Sequence, residues 1–144
     1  MSSRSRRPRD RGSAALETVV LAVPLLALLG LAAAGLRVQD AKSAIEAAAY
    51  DAARAASISR TEAAAITRAN SAAAIALDQE GVNCAGGPVV SVNTDGFNQP
   101  VGQPANVTVT VSCDVLLTDL GIGMDTQELT AIFVSPIDRY RSRQ

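Results

Sequence analysis

The chain lacks histidine and tryptophan and has few aromatic residues of any kind. None of its 144 residues is His or Trp, and aromatic residues make up only 3%. Histidine is the commonest general base and the commonest metal ligand in proteins. The two cysteines supply too few ligands for a zinc site. The composition therefore indicates a protein that is not an enzyme and that uses no metal and no other cofactor.

Charge is distributed unevenly, although the formal net charge is only -1. Five arginines precede Gly12 and are opposed only by Asp10, whereas the rest of the chain is acidic. A basic cluster can attract nucleic acid or anionic lipid, but beside an apolar run it typically sets membrane topology. We therefore expect membrane lipid, and not nucleic acid, as its neighbour.

An uncharged apolar run follows this basic head. Thr18 to Leu36 carries no charge, and as a helix it would span about 28 Å, close to the hydrocarbon thickness of a bilayer. Pro24 removes one backbone hydrogen bond and predicts a helix kink. Because arginines are more numerous before the run than after it, we expect a single-pass protein of the cell membrane. Its N-terminus would be cytoplasmic and its C-terminal body extracytoplasmic.

Glu17 lies at the start of this run, where a charged group is costly unless it has a partner. A secretory signal is the competing interpretation, because Ala32-Ala33-Ala34 fits an A-x-A cleavage site. Two features oppose it: Glu17 lies where a signal should be apolar, and the helical pattern continues past Gly35. A third interpretation is an anchor that is never cut.

Residues 37–80 predict Ala-rich extracytoplasmic helices. The first has an apolar stripe that suits either a partner or the chain's own C-terminal part; it comprises Val38, Ala41, Ile45, Ala48, Ala52 and Ala55. A break is predicted near Ile58, with Ser59 and Glu62 as a capping box. A second Ala-rich helix is predicted to run through Ile66, Ala69, Ala73 and Leu77 and to end at Gly81.

Residues 81–144 predict a small β-rich part. Strands are expected at 88–92, 105–115 and 128–134, with a turn or hairpin tip at Asp95-Gly96 and a loop at 121–123. Short connections favour antiparallel pairing. The fold class is therefore α+β, with a long N-terminal transmembrane helix that continues into Ala-rich helices and a sheet of about three strands.

The two cysteines, Cys84 and Cys113, both fall in this β-rich part. Outside the cytoplasm a disulfide between them is permitted, and small exported domains often need one. Two free buried thiols are the alternative. We expect the disulfide, because the predicted core is thin.

The segment "RGSAALETVVLAVPLLALLGL" resembles the N-terminus of the TadE-like minor pilins, or pseudopilins, of the tight-adherence (Flp-type) pilus system. That family has a basic leader, a glycine, a small residue, a glutamate at the fifth position after the glycine, and an apolar helix with an early proline. Here these are Gly12, Ser13, Glu17 and Pro24. The segments "AAAYDAARAAS" and "QELTAIFVSPIDRY" are similar to the family's later helix and its C-terminal strand. Many relatives have an aromatic residue after the glutamate, where this chain has Thr18.

The resemblance implies four parts: a leader peptide at 1–12, a transmembrane and assembly helix at 13–36, and the parts 37–80 and 81–144 described above. It implies that a prepilin peptidase cuts between Gly12 and Ser13. Glu17 would then meet the new N-terminal amine of a neighbouring subunit. The implied partners are this peptidase, other pilins or pseudopilins, the pilus assembly platform and membrane lipid. The alternatives are an exported binding or adhesion module released after Ala34, and an uncut single-pass envelope anchor.

Overall fold

A computed structural model describes residues 11–116 and 126–140, without the side chains of residues 11–16 and 34. The predicted loop at 121–123 lies outside the described residues. The chain divides into two compact units, Met1–Arg37 and Val38–Gln144. The elements are α1 (Arg11–Ser57), α2 (Glu62–Gln79), β1 (Val89–Asn93), a single turn of 3-10 helix (Asp95–Asn98), β2 (Ala105–Val115) and β3 (Gln127–Ile137). The predicted α+β class is confirmed.

The boundary between α1 and α2 lies where a break was predicted, but its cap is a different residue. The N-cap of α2 is Thr61, whose Oγ1 accepts a hydrogen bond from the Ala64 N–H at 3.2 Å. The predicted capping box on Ser59 is wrong. The Ser59 hydroxyl is buried and donates to the carbonyl of Ala55 at 3.0 Å, so it closes α1 instead of opening α2.

The predicted glycine, Gly81, terminates α2, two residues after the last helical residue, Gln79. The N–H of Val82 donates to the carbonyl of Leu77, and the N–H of Gly81 donates to that of Asp78. These are the two hydrogen bonds of a Schellman motif, which needs a left-handed residue between helix and loop. Gly81, at φ +68°, is that residue, because a Cβ would make this conformation costly.

The sheet has three antiparallel strands in the order β1-β2-β3. Alternation along the central strand β2 separates its two faces, as the sequence predicted. Val107, Val109 and Val111 are fully buried, whereas the Thr and Ser residues between them are only half-buried. The sheet therefore has one covered face and one open face.

The helices cover the valine face of β2, and the buried residues form one cluster. From α1 it contains Ile45, Ala48, Ala49, Ala52, Ala53 and Ala56, from α2 Ala65, Ala69, Ala73, Ala76 and Leu77, and from β2 Ala105, Val107, Val109, Val111 and Cys113. The stripe of α1 thus packs on the chain's own C-terminal part. It is wider than predicted, and its members Val38 and Ala55 are only half-buried. Alanine side chains let helix and sheet backbones approach closely, so the core is thin.

The connection from β1 to β2 contains the predicted Asp95-Gly96 turn as one turn of 3-10 helix near its start, not as a hairpin tip. Asn93 initiates it, since its Oδ1 accepts the Asp95 N–H at 3.0 Å. Gly96 lies directly on the backbone of β2, and a Cβ there would overlap the carbonyl oxygen of Asn106. The turn therefore packs against the sheet.

Cys84 and Cys113 form a disulfide, with their Cα atoms 5.1 Å apart. Cys113 is buried on the helix-covered face of β2. Cys84 lies in the segment between α2 and β1 and makes an isolated bridge with Val115, and the neighbouring Ala85 N–H donates to the carbonyl of Asp114 at 2.8 Å. The bond ties this segment to the end of β2.

Candidate assembly segment in the N-terminal helix

The described N-terminal part of α1 carries large apolar side chains that are exposed on every side of the helix. From Val19 to Leu36 these side chains are 59% to 69% exposed. A helix that is apolar all round is stable only in lipid or inside a larger protein assembly. Among the described residues, Glu17–Ser57 is the one helix long and apolar enough to cross a membrane, with a mean hydropathy of 2.5 in its most apolar window and no part of that window buried. This arrangement is compatible with a membrane anchor.

Glu17 is exposed near the start of this apolar stretch. With Thr18, Leu21, Ala22 and Leu25 it lines a shallow groove on one side of the helix. The carboxylate therefore stands at one end of a mostly apolar groove. A groove of this kind can accommodate the apolar face of another helix, and the carboxylate of Glu17 can pair with a cation at its end.

Gly12 and Ser13 lie in the first turn of α1, which begins at Arg11. The side chain of Ser13 and residues 1–10 lie outside the described part of the chain. Only the backbone place of the predicted processing site is therefore known.

Pro24 lies inside α1, and the helix continues through it. Because proline has no N–H, the carbonyl of Val20 lacks its usual donor within the helix. In a membrane such a carbonyl needs a partner from a neighbouring group. The predicted kink at Pro24 stays a prediction.

The described residues contain no group of three or more His, Cys, Asp or Glu side chains that could hold a metal ion. Glu17 lies among apolar and hydroxyl side chains in its groove, without a second carboxylate. The arrangement suits pairing with a cationic group.

Sequence reasoning missed one exposed apolar group elsewhere, on β3. Ile132 is 65% exposed and Val134 is 51% exposed, both on the open face of the sheet. The segment "TAIFVS" predicted a strand but did not distinguish its covered side chains from its uncovered ones. Only the register with β2 separates them.

Together, a long exposed apolar helix with a carboxylate near its start and an α+β unit after it are compatible with a protein that is anchored in a membrane by its N-terminal helix. Residues 12–54 match the family model described as TadE-like protein. The resemblance seen in the sequence is confirmed over this segment, which contains the Gly-to-Glu spacing and most of α1. The chain is thus consistent with a TadE-like protein of the Tad pilus system, a family that is associated with pilus components and is not an enzyme family. Searches of curated proteins and of solved structures found no significant match.

Proposed function

We propose that this chain is a minor pilin or pseudopilin of a Tad/Flp-type pilus, cut between Gly12 and Ser13 by a prepilin peptidase and assembled through its N-terminal helix. The observation that carries the proposal is the place of Glu17. It is exposed at one end of an apolar groove, within the segment that matches the TadE-like family.

Glu17 is the group that would order the assembly. A carboxylate at the edge of the lipid is costly alone, and an opposite charge offsets much of that cost. Cleavage before Ser13 creates an α-amino group on each subunit. The amine of one subunit pairs with Glu17 of its neighbour, and the pair sets the register of the two helices.

The position of the proposed processing site at the start of α1 is compatible with proteolytic cleavage. The bond between Gly12 and Ser13 lies in the first turn of α1. A peptidase embedded in the membrane would reach this bond at the cytoplasmic face, if the arginine-rich N-terminus stays inside.

Two alternatives compete with this proposal. A secreted module released after Ala34 would lose the first half of α1, and the family match continues without interruption across that position. An uncut anchor would keep its leader and have no amine at Ser13. The secreted module would lose Glu17 with the removed segment, and the uncut anchor would leave Glu17 without the amine of Ser13.

N-terminal sequencing of the chain recovered from membranes of peptidase-containing cells tests the processing step. We expect Ser13 as the first residue, and Gly12→Val should leave the leader attached. A matched Gly30→Val variant changes the same residue type inside the apolar stretch and should be cut normally. A chain that begins at Gly35 would support the secreted module. One that begins at Met1 or Ser2 would support the uncut anchor.

The role of Glu17 needs a separate test, in which processing and incorporation are measured on the same cells. Glu17→Gln keeps the size of the side chain and removes its charge, whereas Glu17→Asp keeps the charge. We expect both variants to be cut, but only the Asp variant to retain substantial incorporation into sheared pili or assembly complexes. Normal incorporation of the Gln variant would refute the pairing and leave the processing result intact.

A further inference from the structure

The outer edge of β3 is the second feature that needs a partner. Within residues 11–116 and 126–140, β3 pairs only with β2, so its other side has no strand beside it. The strand is eleven residues long. Long apolar edge strands are templates for pairing with another chain, and proteins usually guard them with charges, prolines or bulges.

The directions of the backbone groups on β3 follow from one hydrogen bond of β2. The carbonyl of Asp114 accepts from Ala85, on the β1 side of β2. Because these directions alternate along a strand, even-numbered residues of β2 bond toward β1 and odd-numbered ones toward β3. In the register, Thr110 is opposite Ile132, so the even-numbered residues of β3 direct their N–H and C=O groups outward.

This edge is not guarded at its centre. Between Leu129 and Ser135 no residue is charged, and no proline removes an N–H group. Pro136 is even-numbered, so the N–H it lacks would have pointed outward, near one end of the strand. Glu128 is the one charged residue of β3 and lies near the other end.

The edge of β3 is complementary to the same edge of a second copy when the two strands pair with Ile132 at the centre. In an antiparallel pairing of two β3 strands with Ile132 at the two-fold axis, Thr130 lies opposite Val134 of the second copy. Glu128 lies opposite Pro136 of the second copy, so no like charges meet. The two Ile132 side chains, each 65% exposed in the single chain, come side by side on the open face. Such isologous contacts are the commonest way in which identical chains associate.

We propose that β3 is a homotypic interface, through which two copies of this chain join their three-stranded sheets into one antiparallel sheet of six strands. The occupant of the edge is a second copy of the chain. The contact lies in the unit 38–144 and does not use Glu17 or the processed N-terminus. It is therefore independent of the function proposed above.

Cysteine cross-linking of the full chain in its membrane tests this register. Ile132→Cys would face itself across the axis, with Cα atoms about 5.5 Å apart. Thr130→Cys alone would lie roughly 14 Å from its copy along the strands. Thr110→Cys, on the same face but on β2, would lie roughly 14 Å away across the strands. The native cysteines are joined in a disulfide, so a short bifunctional thiol reagent acts on the introduced ones.

We expect a covalent dimer from Ile132→Cys and loss of it in both control variants. Thr130→Cys in one tagged copy should cross-link to Val134→Cys in another. Equal cross-linking at Thr110, absence of a dimer at Ile132, or a product with a different protein would overturn the proposal.

Charged substitutions of Ile132, the residue at the two-fold axis, give a second and independent test. The measurement is the cross-link between a copy that carries Thr130→Cys and a copy that carries Val134→Cys. Ile132→Glu in both copies, or Ile132→Lys in both, places like charges opposite each other and should abolish the cross-link. Glu in one copy and Lys in the other should restore it. Ile132 is exposed, so these substitutions do not disturb the core. Failure of the mixed pair to restore the cross-link would contradict the two-fold register.

Discussion

The ring of Tyr50 in α1 meets the ring of Phe133 in β3 edge to face, with ring centroids 4.8 Å apart and ring planes at 82°. About two turns further along α1, the Ser135 hydroxyl of β3 donates to the Ser57 hydroxyl at 3.0 Å. These two contacts join the C-terminal half of α1 to the edge strand of the sheet. They hold β3 in place although its outer side has no strand beside it in the described part of the chain.

The aromatic pair should therefore contribute to stability beyond its buried area. In a double-mutant cycle of Tyr50→Leu and Phe133→Leu, we expect a coupling of about 0.5 to 1 kcal/mol. The free energy of unfolding is measured by urea-dependent proteolysis of the full chain in detergent. Additive effects of the two substitutions would show that the edge-to-face contact adds nothing.

Gly96 should tolerate no side chain. A Cβ would overlap the Asn106 carbonyl oxygen and lie 3.0 Å from the Asn106 nitrogen, so either the 3-10 turn or β2 must shift. We expect Gly96→Ala to lower the free energy of unfolding by about 1 to 3 kcal/mol. Gly35→Ala is the matched control, because nothing lies within 4 Å of its Cβ position. Its effect should be small or stabilising, and equal losses in both variants would contradict the packing argument.

The disulfide should supply a large part of the stability of the C-terminal unit. It closes a loop of 29 residues, for which the chain-entropy estimate is about 3 to 4 kcal/mol. Reduction of the native chain and the double variant Cys84→Ala/Cys113→Ala should both lower the urea midpoint by a similar amount. A midpoint that does not move on reduction would show that the thin core is sufficient without this bond.

The cap of α2 offers a test that separates the structure from the sequence prediction. Thr61→Ala removes the acceptor for the Ala64 N–H and should cost about 1 kcal/mol. Thr61→Ser keeps a hydroxyl and should restore most of that loss. If Thr61→Ala leaves the urea midpoint unchanged, the helix does not depend on this cap.

The sequence alone determined the features that depend on local pattern. The apolar run, the carboxylate of Glu17, the strand alternation around Val109 and the helix end at Gly81 were all readable from it. Each of these depends on periodicity, charge or the φ preference of one residue, and needs no knowledge of distant partners.

Tertiary structure decided the features that depend on competition between distant groups. Serine is a preferred N-cap residue, yet the Ser59 hydroxyl is buried at the end of α1, and Thr61 is the N-cap of α2 instead. The pairing of Tyr50 with Phe133 and the outward backbone groups at Ile132 follow from the register of β2 and β3. Register and burial are set by which surfaces meet, and the residues that meet lie far apart along the chain.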